Sequence, residues 1–236
     1  MGLIVDVYAY IVAFFLYFIL EYKVRKWCYP VEPKPSLSFL PKWTKGKEWT
    51  ILVSSGYWLA RYYKKRLSSF PTERKKHLLR QYIKRNNLCN LIVSSIITFL
   101  SFHLIKEDGL GCFFISFISA FVLFRFISRA FEIAYAFSND VMSYNKNRSG
   151  LCKERRIQLA IRSYVELYIL SAPVYYAFDL ACTKVGALTL SLSVGSFTNV
   201  GAAFPTGYSY ASNLVFIQVF STLSLVVLSL ALPDYP

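Results

Sequence analysis

The chain has 236 residues, of which 55% are hydrophobic and 18% aromatic, and its formal net charge is +14. The mean hydropathy of +0.39 is too high for an ordinary soluble domain and predicts an all-α, multi-pass membrane protein. Five scattered cysteines without a CxxC pair, two histidines and the absence of P-loop, GxSxG and HExxH motifs argue against an enzyme, a metal site or a bound cofactor.

The first predicted span runs from residue 3 to residue 20, and we interpret residues 1–20 as a retained transmembrane anchor. Residues 21–87 differ sharply in composition, because they hold 17 of the 27 basic residues and only four acidic ones. Four early prolines indicate an extended linker, followed by a helix over Lys47–Leu67 and a second basic helix after Pro71. This region is expected to form a basic layer on the cytoplasmic membrane surface.

The basic layer has two candidate partners of different chemistry. Anionic lipid is favoured over nucleic acid, because the layer is tethered between two spans and is rich in Trp and Tyr. No nucleic-acid partner is therefore expected. Docking of a cytosolic protein on the same surface stays open.

A transmembrane hairpin is predicted over residues 88–135, with spans at 88–104 and 112–130. Arg125 and Arg129 lie near the cytoplasmic end of the second of these spans, where we expect them to snorkel to the interface. Glu132 can pair with Arg129 at a spacing of three residues. Residues 136–162 form a second basic cytoplasmic linker.

The last segment, residues 163–236, contains two more spans, at 163–182 and 209–232, with a short apolar helix between them. Glu166 is expected to meet the inner interface near Arg162, and Asp179 to lie near the outer end. Residues 186–197 are too few to cross a bilayer, which takes about 20 apolar residues. A half-length helix followed by irregular backbone survives at membrane depth only inside protein or beside a water-filled cavity.

The distribution of charge predicts the orientation. Lys and Arg concentrate in cytoplasmic loops, so residues 21–87 and 136–162 are expected inside. About five transmembrane helices, with a re-entrant pore helix and loop between the last two, then place the N-terminus outside and the C-terminus in the cytoplasm. The expected location is the cell inner membrane.

The order of elements from Gly186 to Leu232 resembles that of the bacterial pore-loop cation channels of the potassium-channel superfamily. Thr198, Asn199, Val200 and Gly201 stand where that family has Thr-Thr-Val-Gly, and the likeness extends upstream through Glu154–Leu159, Ser163–Leu167 and Val174–Phe178. The resemblance implies a homotetramer whose backbone carbonyls replace the water shell of an ion. Its filter-like residues would be Thr198, Asn199, Val200, Gly201 and Ala202.

The filter departs from the family pattern, because Ala202, Ala203 and Phe204 stand where the family has Tyr, Gly and Asp. Ion selectivity is therefore left open. Asp179 is a candidate for the pore mouth. On the last span, one helical stripe of mostly polar residues either lines a pore or bonds neighbouring helices, and it consists of Gln218, Ser221, Thr222, Leu225 and Ser229.

Two functional hypotheses of different classes follow. The first is passive conduction of ions, most plausibly small cations, through a homo-oligomeric pore. The second is a non-conducting membrane scaffold or sensor that recruits a cytosolic effector, for example in a bacterial anti-phage defence complex. A triggered, toxin-like pore is a third and weaker hypothesis.

Overall fold

The computed structural model describes residues 2–34, 50–105, 111–142, 153–204 and 211–230, and all regular structure in these ranges is helical. The elements in chain order are α1 (Gly2–Cys28), α2 (Thr50–Val53), α3 (Ser55–Leu67), α4 (Thr72–Leu104), α5 (Cys112–Met142), α6 (Lys153–Ala177), α7 (Lys184–Gly195), a 3-10 helix (Val200–Ala203) and α8 (Ser212–Leu230).

Three of the helices are long and apolar enough to span a membrane, over Asp6–Cys28, Thr72–Leu104 and Cys112–Ala136. The predicted all-α membrane protein is confirmed at this level. α7 and the described part of α8 are shorter apolar helices, at Lys184–Gly195 and Ser212–Val227. The count of five spans and the re-entrant loop stay predictions.

Four helices continue across the segment boundaries expected from composition. The boundaries after residues 20, 87, 135 and 162 fall inside α1, α4, α5 and α6 respectively. α4 shows the reason, since Thr72–Leu104 contains neither Gly nor Pro and its backbone continues from the basic part into the apolar part. Part of the basic region 21–87 is thus helical and continuous with α1 and α4.

α5 lies at the centre of the bundle and contacts α1, α3, α4, α6 and α8, while α7 packs against α6 and α8. The main core cluster joins Val122 and Phe126 of α5 to Leu170 and Val174 of α6 and Val215 of α8, all fully buried. Apolar side chains also cover the outside of the bundle. α4, for example, exposes Leu88, Ile92, Ile96, Phe99 and Leu100 at helical spacing, as expected for a face in contact with lipid.

Candidate functional site

The most unusual feature of the bundle is a set of six charged side chains buried among the apolar helices. We call this set the ionic centre. It contains three arginines and three glutamates, so its formal charges cancel, and each side chain is nearly inaccessible to solvent. The members are Glu21 and Arg25 of α1, Arg125, Arg129 and Glu132 of α5, and Glu166 of α6.

Arg129 joins α5 to α6 through a bidentate contact. Its Nε donates to Glu166 Oε1 at 2.6 Å, and its Nη2 donates to Glu166 Oε2, also at 2.6 Å. Nη1 of the same guanidinium donates to Glu132, which lies three residues further along α5. Two parallel N–H···O bonds fix both orientation and distance, which a lysine cannot reproduce.

Arg25 and Arg125 connect α1 to α5 through further ion pairs with shared glutamates. Arg25 Nη2 donates to Glu132 Oε2 at 2.6 Å, and Arg25 Nε donates to Glu21 Oε2 at 3.2 Å. Arg125 donates through Nη1 to Glu21 Oε1. Glu21 and Glu132 are therefore each shared between two arginines, and the six charges form one connected network across three helices.

α4 and α3 complete the surroundings with neutral groups. The Ser94 hydroxyl of α4 donates to Glu166 Oε1 at 3.1 Å, and Arg125 Nη2 donates to Ser94 Oγ at 3.2 Å and to the Asn90 carbonyl at 3.3 Å. From α3, Gly56 approaches so closely that an added Cβ would lie 3.1 Å from Ser128 Oγ and 3.3 Å from a carboxylate oxygen of Glu132. A side chain at this position would therefore push Ser128, Arg25 or Glu132 away by a few tenths of an ångström.

The expectation that Arg125 and Arg129 snorkel to the interface is wrong, because both are buried inside the bundle. The expected place of Glu166 at the inner interface is wrong for the same reason, since it is fully buried against Arg129. The local pair between Arg129 and Glu132 is confirmed. The signal that sequence reasoning missed is the cancellation of charge, with three glutamates on apolar helices matching three arginines.

The second candidate site lies at the end of α7. Thr183 caps the start of this helix, its hydroxyl accepting from the Gly186 N–H at 2.9 Å. At the other end Phe197 adopts φ 58°, and the Thr198 N–H donates to the Ser193 carbonyl at 3.0 Å. This is the left-handed helix ending that glycine usually provides, occupied here by a bulky aromatic residue.

The filter-like residues form a tight turn directly after this ending. Thr198, Asn199, Gly201 and Ala202 are exposed in the single chain, and Val200–Ala203 is a 3-10 helix. The Ala202 N–H donates to the Asn199 carbonyl at 3.3 Å and the Phe204 N–H to the Gly201 carbonyl at 3.0 Å. Two of the carbonyls that a filter would present to an ion thus accept local hydrogen bonds.

The polar stripe of α8 faces the interior of the same chain. Gln218 is buried, its Nε2 donates to the Ser191 carbonyl at 2.9 Å, and its Oε1 accepts from the Tyr175 hydroxyl at 2.5 Å. Ser221 donates to the Ala130 carbonyl at 3.4 Å. Thr222 and Leu225 are also buried, and the side chain of Ser229 is outside the described residues. These contacts are those of the helix-bonding alternative, and the pore-lining role stays a prediction.

Asp179 lies at the opposite end of α7 from the filter-like turn. It is exposed and adopts φ 58° at the end of α6, where the Leu180 N–H donates to the Tyr175 carbonyl at 2.9 Å. α7 has 12 residues, which corresponds to about 18 Å of helix. The structure therefore separates Asp179 from Thr198–Ala202 by the length of that helix.

Comparison with known proteins places the chain in no family, since no family model, no curated protein and no solved structure matches it. The fold and the two sites define a class nonetheless. In its described residues the chain is all-helical, with three helices long and apolar enough to span a membrane, a buried ionic centre, and a short helix that ends in an exposed turn.

Proposed function

We propose that the chain is a channel-like subunit that conducts ions passively, with small cations as the favoured substrate. The observation that carries this proposal is α7, a short apolar helix held between α6 and α8 that ends in the exposed turn Thr198–Ala202. At about 18 Å, α7 covers only part of the roughly 30 Å hydrocarbon core. α7 and its turn are then a re-entrant loop, with α6 and α8 as the fourth and fifth spans.

The polarity of α7 supports cations rather than anions. The C-terminal end of a helix carries a partial negative charge, and the exposed turn follows that end directly. Asn199 and Thr198 add neutral oxygen ligands from their side chains. Several copies of this turn around an axis would offer rings of oxygen ligands, which is how channel filters select and pass ions.

The proposal requires a homo-oligomer, with the homotetramer as the expected form. The filter-like turn is exposed in the single chain, so it reaches a complete ring only through copies of itself. In the inner membrane, the positive-inside rule places the exposed Lys65, Arg66, Arg74 and Lys76 in the cytoplasm, with the N-terminus outside. These cations suit anionic lipid headgroups.

The alternative is a non-conducting scaffold that recruits a cytosolic effector. The local hydrogen bonds of the Asn199 and Gly201 carbonyls favour it, as does the burial of the Gln218 stripe within the chain. The Asn199 and Gly201 carbonyls of the turn and the Gln218 amide of α8 already have hydrogen-bond partners within the chain. In this alternative the basic cytoplasmic surface is the docking site.

Conduction is tested by recording purified protein in planar bilayers before and after Gly201→Asp. Among the described residues an added Cβ at Gly201 would meet only Asn199 Oδ1, at 3.9 Å, so the variant adds a charge to the turn without crowding that part of the fold. The matched control is Gly111→Asp, where a Cβ would meet nothing within 4 Å of the described structure.

Unitary currents that change with Gly201→Asp and not with Gly111→Asp support conduction through the turn. Currents that both variants leave unchanged contradict the proposed path. If no current appears and a stable complex with a co-encoded soluble protein is recovered, the scaffold is supported. An experimental image of the oligomer along its axis then gives the stoichiometry and the bore radius.

A further inference from the structure

A cavity of about 180 Å³ lies between α1, the junction of α2 and α3, and the middle of α5. Its outer wall is apolar and consists of Phe14, Val53, Phe124 and Ile127. Its inner end is formed by three hydroxyl side chains, those of Tyr17, Ser55 and Ser128. The cavity is thus amphipathic, with an oxygen-rich end and a hydrocarbon end.

Two of the three hydroxyls have no hydrogen-bond partner in the described structure. Tyr17 and Ser55 are each 1% exposed, and although the Tyr17 hydroxyl faces those of Ser55 and Ser128, neither Tyr17 Oη nor Ser55 Oγ has a partner at hydrogen-bonding distance and angle. Ser128, by contrast, is engaged, because its Oγ shares a hydrogen bond of 2.9 Å with Ser54 and accepts from the Gly56 N–H at 3.2 Å. A buried hydroxyl without a partner is costly, so a bound group that bonds to both of these hydroxyls is stabilised.

The hydroxyl end of the cavity adjoins the ionic centre. Tyr17 lies one turn before Glu21 on α1, and Ser128 directly precedes Arg129 on α5. Two guanidinium nitrogens of the ionic centre, Arg25 Nη1 and Arg125 Nε, also lack a partner within the described residues. The guanidinium nitrogens can only donate and the two hydroxyls can donate, so these groups favour a bound group with an acceptor oxygen.

The apolar end of the cavity reaches the surface of the bundle. Val53 is exposed, and Phe14, Phe124 and Ile127 are half-buried. Next to this opening α1 exposes Ile11 and Phe15, which are side chains suited to lipid contact. A ligand that enters here comes from the hydrocarbon of the bilayer.

We propose that this cavity binds a small lipid-soluble molecule with an apolar body and one oxygen function at its end. The oxygen accepts from Tyr17 and Ser55, while the body lies against Phe14, Phe124 and Ile127. The size agrees, since an apolar cavity of about 150 Å³ in another protein binds benzene. Water alone would satisfy the hydroxyls and leave the apolar half empty. The site does not depend on conduction and is separate from the filter-like turn.

The probe for this site is benzyl alcohol carrying a diazirine group, with the toluene analogue of the same photoreagent as its matched partner. The full chain in lipid nanodiscs is irradiated with increasing probe, and labelled peptides are located by mass spectrometry. We expect saturable labelling of α1 and α5 around Phe14 and Phe124, and competition by unlabelled benzyl alcohol.

Tyr17→Phe and Ser55→Ala are each expected to lower the affinity for the alcohol probe by roughly three- to tenfold, because each removes one hydrogen bond. The affinity for the toluene analogue should stay the same. Tyr8→Phe, on the exposed face of α1, is the control and should change neither probe. Labelling that rises linearly with probe, or that is spread over all helices, overturns the proposal. So does an alcohol affinity that Tyr17→Phe and Ser55→Ala both leave intact.

Discussion

The ionic centre and the contact between α7 and α8 are two different ways of placing polar groups inside an apolar bundle. The ionic centre uses six charges from three helices, each glutamate held by at least one arginine. The contact between α7 and α8 uses neutral groups. Gln218 of α8 is bonded to the Ser191 carbonyl of α7 and to the Tyr175 hydroxyl of the adjoining α6. Both regions are buried, but they respond very differently to the loss of one member.

The difference follows from the cost of an unpaired charge. Removing one partner from a buried ion pair leaves a charge in a medium of low polarity, which costs several kcal/mol. Removing one neutral hydrogen bond between membrane helices costs much less, about 0.6 kcal/mol on average. We therefore expect α1, α5 and α6 to stay together as a unit, and α7 and α8 to be the easier elements to move.

The largest expected effect is that of Arg129→Met. This change leaves Glu166 and Glu132 without their shared cation, so the free energy of unfolding should fall by about 3–5 kcal/mol. The measurement is reversible unfolding in detergent micelles. Arg155→Met, on the exposed start of α6, is the matched control, with an expected change within about 0.5 kcal/mol. Equal effects of the two variants would contradict the role given to the ionic centre.

Next in size is Gly56→Ala. In an ordinary helix this change stabilises, by up to about 1 kcal/mol. Here the new Cβ would lie 3.1 Å from Ser128 Oγ and 3.3 Å from Arg25 and Glu132, so we expect a loss of about 1–2 kcal/mol instead. Gly111→Ala, in open space, serves as the control in the same unfolding experiment. A stabilising Gly56→Ala would mean that α3 does not approach the ionic centre this closely.

Gln218→Leu, at the contact between α7 and α8, should reduce the stability by a smaller amount. The variant removes the hydrogen bonds to Tyr175 and to the Ser191 carbonyl, and the expected loss is about 0.6–1.7 kcal/mol. Ser224→Ala is the comparison, since within the described part of the chain the Ser224 hydroxyl bonds only to the Phe220 carbonyl of its own helix. If Gln218→Leu destabilised the protein as much as Arg129→Met, the contrast between the two regions would be lost.

Phe197→Gly should have the smallest effect, and it is the one change in this series that should increase the stability of the protein. Phe197 adopts φ 58°, a conformation that costs a side chain about 1 kcal/mol and costs glycine almost nothing. Because glycine also gains entropy in the unfolded chain, the net stabilisation should be at most about 1 kcal/mol, measured as a rise in Tm. A clear loss would show that the half-exposed Phe197 ring makes a contact absent from the single chain.

Local features of the fold were open to prediction from sequence. A helix ending at Leu67, the restart after Pro71, the short apolar helix before Thr198 and the pair between Arg129 and Glu132 all depend on residues a few positions apart. The boundary after residue 87 was not predictable in this way. A change in composition there suggests a change of element, but no Gly or Pro interrupts the helix.

Amino-acid composition and spacing alone determined that this chain is helical, apolar enough for a membrane, and strongly basic between residues 21 and 87. Only the tertiary structure decided which charges meet. Arg25 and Glu132 are 107 positions apart, and Arg129 and Glu166 are 37 apart, so their pairing depends on how α1, α5 and α6 rotate and pack. The same applies to Gln218, which faces Tyr175 and Ser191 because α8 turns that side inward. A helix period tells which residues share a face, whereas only packing determines what that face contacts.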